Sequence, residues 1–289
     1  MEQEMVSSGR EVKTAGSPAR PARARGRTRE EEAPALTYVY CLVQGASSGA
    51  LRGVCDRVPG TGSLRALDLG QTLCAVVADA DPAAFSAEAL LEGFDDLDWV
   101  GRCAVGHEAV VSRLMATHAS VLPLKLFTLF ASDGRAVAAL GRGRARYTRL
   151  LARIAGCSEW GVRLETSTTS QPAGLSDASS GAEFLSRKLR ARRDEQTRRR
   201  SFPADAARVY RDLAPLARAA RRVRPAERLR PAVSAVMDAV FLVHRSRVRA
   251  FRARARTLAA GAKGRGQRLT VTGPWAPYHF IGRDGTPRR

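Results

Sequence analysis

The chain has 289 residues, 44% of them hydrophobic, and carries 48 Lys and Arg against 28 Asp and Glu, a net charge of +20. That length holds two domains with sizeable cores, and the absence of any run of eighteen apolar residues excludes a membrane-spanning helix. Five cysteines (Cys41, Cys55, Cys74, Cys103, Cys157) form no Cys-x-x-Cys pair and read as reduced thiols of a cytosolic protein, and the N-terminus has no apolar core of a secretory signal.

Residues 1–35 are rich in Arg, Ala, Pro, Ser and Glu with almost no large apolar side chain. They cannot bury enough surface to order themselves, so a flexible tail is expected there. Order is expected to begin at Leu36–Val43, a β-branched and aromatic run typical of a strand. Gly45–Gly53 reads as loop, and Leu64–Leu69 and Leu73–Ala78 as a hairpin turning at Gly70-Gln71.

From Asp98 the spacing of Val100, Cys103, His107, Val110, Val111 and Leu114 predicts a helix with one apolar face. The acidic cluster Glu88, Glu92, Asp95, Asp96 and Asp98 precedes it, and three of these sit just ahead of the helix start, where the helix dipole favours negative charge. Val121–Phe130 then alternates with apolar residues on both faces, as a covered strand does, and Pro123 belongs at its start or on an edge. Ser132 or Asp133 caps a second helix, running to Ala155 with Val137, Leu140, Tyr147, Leu151 and Ile154 on one side. Gly141 and Gly143 invite a kink in it, and Gly156 ends it.

The domain boundary is placed there, because charge changes abruptly. Residues 36–156 hold 12 basic and 11 acidic side chains, whereas residues 157–289 hold 29 and 11, so +18 of the +20 lies in the second part. Arginine outnumbers lysine 44 to 4 throughout, tail included, which fits codon bias better than a selected phosphate-binding surface. The second part reads as strand (157–166), Ser/Thr/Gly-rich loop (167–180), basic helix (181–200), and a helix restarted at Pro203 with Val209, Leu213, Leu216 and Ala220 inward. Strand 233–243, helix 245–260 with Val248, Phe251, Ala255 and Leu258 buried, and strand 269–272 complete it. The expected class is therefore α+β. An N-terminal antiparallel-sheet domain (36–156) precedes a C-terminal ferredoxin-like domain (157–289) with long basic helices.

Little in the chain is suited to catalysis. Gly45-Ala46-Ser47-Ser48-Gly49 has the spelling of a nucleophile elbow, but no helix follows it at once, and His107, His118, His244 and His279 offer no evident base partner. His107 and His118 lie eleven residues apart, about 16 Å along a helix, too far to share a metal. Phosphate loops, dinucleotide fingerprints, zinc spacings and calcium loops are missing, so no enzyme activity and no cofactor are expected. The arginine-rich runs 187–200 and 245–256 would attract any polyanion. They lack interleaved aromatics, so a solvated helix face is favoured over an RNA- or DNA-binding site, the alternative function.

Several stretches read like words. Leu122-Pro123-Leu124-Lys125, then Thr128-Leu129-Phe130, resembles the central signature of the gas vesicle accessory family GvpF/GvpL, Leu-Pro-Leu-Arg-Phe-Gly-Thr-x-Phe, with departures at Lys125, Leu126 and Phe127. Thr272-Gly273-Pro274-Trp275-Ala276-Pro277-Tyr278-His279-Phe280 is similar to its terminal Thr-Gly-Pro-Trp-Pro-Pro-Tyr-x-Phe, with Ala276 in place of a proline. Glu159-Trp160-Gly161-Val162-Arg163 resembles its Glu-x-Gly-Val-Lys strand, Val240–Val243 its Tyr-Leu-Val strand, and Tyr38–Tyr40 its opening strand. In physical terms the terminal motif reads as a clasp, with Trp275, Tyr278 and Phe280 docking large apolar surfaces.

The resemblance runs in order over residues 36–282. It implies a non-enzymatic accessory protein of cytoplasmic gas vesicles that binds the small hydrophobic shell protein, and other accessory vesicle proteins, during nucleation or assembly. It implies no specific nucleic acid and no membrane. The near-neutral first part is the expected contact region for the shell protein, since apolar surface is easier to bury there than beside dense charge.

Overall fold

The computed structural model describes residues 35–45, 51, 56–167, 181–223 and 233–282. The expected tail and the Ser47 elbow fall outside these residues, apart from Ala35 and Gly45.

The first sheet is antiparallel and built from β1 (Leu36–Gln44), β2 (Arg65–Asp68), β3 (Leu73–Ala80), β4 (Val121–Pro123) and β5 (Leu129–Phe130). Its order is β2-β3-β1-β4, with β5 also paired to β1. β1 is buried along almost its whole length because both faces are covered. A register shift between Val39 and Cys41 re-phases its alternation. Tyr38, Tyr40, Cys41 and Val43 therefore enter one core, and Val39 and Leu42 the other.

The expected single strand Val121–Phe130 is two short ones. β4 pairs with Cys41–Val43 and β5 with Thr37–Tyr38, and residues 124–128 loop out opposite the bulge in β1. Thr128 closes that loop by donating from N (3.2 Å) and Oγ1 (2.7 Å) to the Lys125 carbonyl, while Phe127 takes φ +60°. Two-faced apolar alternation cannot distinguish a strand from a packed loop that buries the same residues.

Short helices α1 (Pro82–Phe85) and α2 (Ala87–Gly93) lead into α3 (Leu97–Thr117). Asp96 caps α3, accepting from the backbone N of Asp98 and of Trp99 at 3.0 Å each. Cys103, Val110, Val111 and Leu114 of α3 pack against the Tyr38/Tyr40 side of the sheet. The second expected helix is interrupted where its glycines lie. Ser132 caps α4 (Asp133–Gly141), and α5 (Arg144–Ile154) restarts after Gly143. Gly156, at φ +66°, then turns the chain into β6.

The second sheet comprises β6 (Cys157–Ser167), β7 (Ala219–Val223), β8 (Val233–His244) and β9 (Gln267–Trp275), in the order β7-β8-β6-β9, all antiparallel. With α6 (Gly181–Leu213) after β6 and α7 (Val248–Lys263) after β8, it has the βαββαβ order of a ferredoxin-like unit. Two details differ from the sequence reading. The basic helix and the one expected to restart at Pro203 are one helix, α6, and Ala220 lies in strand β7 instead of on a helix face. β7 reads Ala-Ala-Arg-Arg-Val, too polar to show as a strand. Its arginines are held by the fold, with Arg222 stacked 4.9 Å from the Tyr210 ring.

Three cores result. α3 covers one face of the first sheet. A middle core joins the other face (Val39, Leu122, Leu124) to α5, to Val240 and Leu242 of β8, and to Phe280 and Ile281. α6 and α7 cover the far face of the second sheet, where Phe251 meets Trp160 and Phe241.

Candidate interaction surface

Most of the signature residues lie buried or half-buried in or beside the two sheets, whereas Lys125 and Trp275 are exposed. Leu122 is fully buried and Pro123 buried in edge strand β4; Phe130 borders the middle core, and Thr128 is buried, closing the loop that Lys125 exposes. Gly161 cannot be larger, because an added Cβ would sit 2.6 Å from Thr272 Oγ1. Gly273 has φ +122°, and its Cβ would lie 2.8 Å from the Glu159 carbonyl.

The terminal segment after Gly273 threads back between the sheets. Ala276 is buried in the first core, with Pro277 buried beside it. Tyr278 packs there too and donates from its hydroxyl to Glu108 Oε2 at 3.1 Å. Phe280 is buried in the middle core, its carbonyl accepting from Arg153, while Arg221 donates to the His279 carbonyl at 2.6 Å. Buried Glu159 holds His279 by both its backbone N–H and its ring.

Trp275 departs from the expected clasp: its side chain is 44% exposed. Between Glu159/Trp275 and Gly161/Thr272 the register of β6 and β9 slips by one residue. A slip of one reverses which side chains face inward, so small Ala276 enters the core and the indole is turned out.

Two polar features that could have suggested chemistry are held within the fold, although buried His107 Nε2 has no hydrogen-bond partner among the described residues. Against the second sheet lies a hollow of about 500 Å³ lined by Gly161, Val240, Thr270 and Thr272. Its charged pair, Arg163 and Asp238, is joined by two hydrogen bonds of 2.7 and 3.2 Å. His107 is a core histidine. Its Nδ1 is hydrogen-bonded with the Tyr38 hydroxyl at 2.9 Å, its ring stacks on Tyr40, and burial pushes its pKa down to about 4, so it is neutral at pH 7. Among the described residues, no group of three or more His, Cys, Asp or Glu could hold a metal ion, and no helix is long and apolar enough to cross a membrane.

What does face outward is apolar. Leu91 (70% exposed), Phe94 (48%), Leu97 (80%) and Val105 (71%) lie on α2, the turn after it, and α3. Phe94 meets Phe127 edge to face at 5.5 Å, and Phe127 stacks flat on Trp99 at 5.3 Å, so the turn rests on a fixed aromatic base. Leu97 and Val105, eight residues apart, share one side of α3 about 12 Å apart along its axis. Glu88, Glu92, Asp95, Asp96 and Asp98 surround this surface, and no Lys or Arg occurs from 82 to 101. The sequence reading assigned three of these carboxylates to the helix dipole and gave the cluster no further role. The available signal was the pair Leu97 and Val105, apolar residues off the buried stripe of α3.

Comparison with known proteins gives one consistent result. The family model "Gas vesicle synthesis protein GvpL/GvpF" matches residues 36–282. The chain is 34% identical over 258 residues to a "Gas vesicle protein L" from Streptomyces sp. (strain CB03234), covering 86% of this chain and 93% of that one. Crystal structures of the gas vesicle protein GvpF share the fold. The Anabaena sp. PCC7120 protein superposes with a TM-score of 0.62 at 16% identity, over 86% of this chain and 96% of its own. The Microcystis aeruginosa protein gives 0.58 at 14% identity, over 86% and 99%.

Proposed function

The chain belongs to the gas vesicle synthesis protein family GvpL/GvpF, and from that premise we propose that it is a non-enzymatic assembly factor that binds the hydrophobic shell subunit. It would act in the cytoplasm and at the growing vesicle, with other accessory vesicle proteins as further partners. The observation that carries the binding reading is the exposed surface of Leu91, Phe94, Leu97 and Val105 within the near-neutral first part. A hydrophobic partner gains by removing that surface from water. The arginine-dense second part would have to be desolvated at a cost.

The test is retention of the shell subunit by the full chain at high salt, where ionic contacts are screened. The variant Leu91→Ser/Leu97→Ser/Val105→Ser is expected to keep the wild-type melting temperature and to lose at least about tenfold in retention. Undiminished retention by that folded variant would overturn the assignment. Reversal of α6 charges is expected to leave retention at high salt unchanged.

A further inference from the structure

The first five turns of α6 pose a physical problem. Every side chain described between residues 185 and 200 is exposed, including Leu185 (57%) and Leu189 (48%). Helices in proteins take most of their stability from packing an amphipathic face, and Leu185 and Leu189 belong to none of the three cores. Leu185 and Leu189 are one turn apart, about 6 Å along the axis, and lie on one stripe with Lys188, Arg192 and Arg193. From 181 to 200 the sequence has eight Lys and Arg against three carboxylates, a net charge of +5.

The α2–α3 surface is its counterpart. From 82 to 101 there are five carboxylates and no basic residue, a net charge of −5, around exposed leucines and a phenylalanine on a rigid aromatic base. The basic helix with its two leucines and the acidic surface with its three apolar side chains are opposite in charge, and Arg102, paired with Asp96 at 4.0 Å, lies just beyond the acidic stretch. The apolar side chains of both, Leu185 and Leu189 on one and Leu91, Phe94 and Leu97 on the other, are exposed.

We propose that α6 of one copy docks on the α2–α3 surface of a second copy, Leu185 and Leu189 lying among Leu91, Phe94 and Leu97, with the arginines over Glu88, Glu92, Asp95 and Asp98. The two patches differ, so the contact is heterologous and repeats head to tail, giving a ring if the rotation closes and an open string if it does not. Burial of the leucines supplies attraction, and the opposed charges set orientation and on-rate. The contact occupies the surface assigned above to the shell subunit, so self-association would cover that surface until a subunit displaces it. The docking itself requires no shell subunit, and the test below contains none. Failure of either idea therefore leaves the other standing.

Sedimentation velocity of the full, nuclease-treated chain tests it. Wild type is expected to shift to larger species with rising concentration, and the association to weaken at least about tenfold when salt is raised from near 0.1 M to 0.5 M. Glu88→Arg/Glu92→Arg/Asp98→Arg and Arg190→Glu/Arg192→Glu/Arg193→Glu are each expected to remain folded and monomeric. Mixed in equal amounts, they are expected to associate again, because each retains one intact patch complementary to the other's. Wild type that stays monomeric at every concentration overturns the proposal. So do association indifferent to both variants, variants that fail to complement on mixing, and larger species that appear only without nuclease, which would assign α6 to nucleic acid.

Discussion

Glu159 on β6 accepts two hydrogen bonds from His279, 120 residues later in the chain: from the backbone N–H at 2.9 Å and from ring Nδ1 at 2.6 Å. The carboxylate is buried and the imidazole half exposed, so the contact fixes the returning C-terminal segment against the second sheet.

This contact makes stability depend on pH. The hydrogen bond to Glu159 raises the pKa of His279 above its ordinary value of 6.5, against a smaller lowering by burial. A raised folded-state pKa means stability that is complete below pH 6.5 and is lost as pH climbs through the folded value. Urea unfolding at pH 6 and at pH 8.5 should show that loss in the wild type. Glu159→Gln should flatten it and lower stability at pH 6 by about 1–2 kcal/mol.

His107 works with the opposite sign. Burial lowers its pKa from 6.5 to about 4, so the unfolded chain takes up a proton first as pH falls. Stability is therefore lost between pH 6.5 and 4, by about 3 kcal/mol when complete. His107→Gln retains a hydrogen-bonding group for the Tyr38 hydroxyl and should remove most of this acid sensitivity, read as the difference in urea midpoint between pH 7 and pH 4.5.

The two ends of the terminal motif should separate on truncation. Phe280→Ala opens the middle core and should cost about 3–5 kcal/mol. Trp275→Ala removes a ring that is 44% exposed and should cost about 1 kcal/mol or less. Equal losses in thermal unfolding would show that the indole is buried after all.

Gly273→Ala tests the backbone of the same turn. At φ +122° with the Glu159 carbonyl 2.8 Å from an added Cβ, the substitution meets both strain and a backbone clash. A loss of about 2–4 kcal/mol is expected. Unchanged stability would mean that the segment re-routes without penalty.

Much of the architecture was legible because it rests on local signals. Ser132 as cap, Gly156 as terminator, the α3 stripe through Cys103, Val110 and Leu114, and three of the four strands of the second part all appear in the structure. The family signatures were legible too, as spelling. Their physical work was not: Glu159 and His279, or Glu108 and Tyr278, meet only after the chain has folded back between its two sheets.

The sequence by itself determined an α+β chain with a charge-divided body and a family likeness, because periodicity, caps and composition act over a few neighbouring residues. Tertiary structure decided the rest. The bulge in β1 split an apparently continuous strand into β4 and β5, and one residue of slip in β9 turned Trp275 outward and Ala276 inward. Long-range packing also left Leu91, Leu97 and Val105 uncovered while burying equally apolar neighbours such as Val110. Whether a leucine is core or contact surface depends on what stands opposite it, and that partner lies far away in sequence or on another molecule.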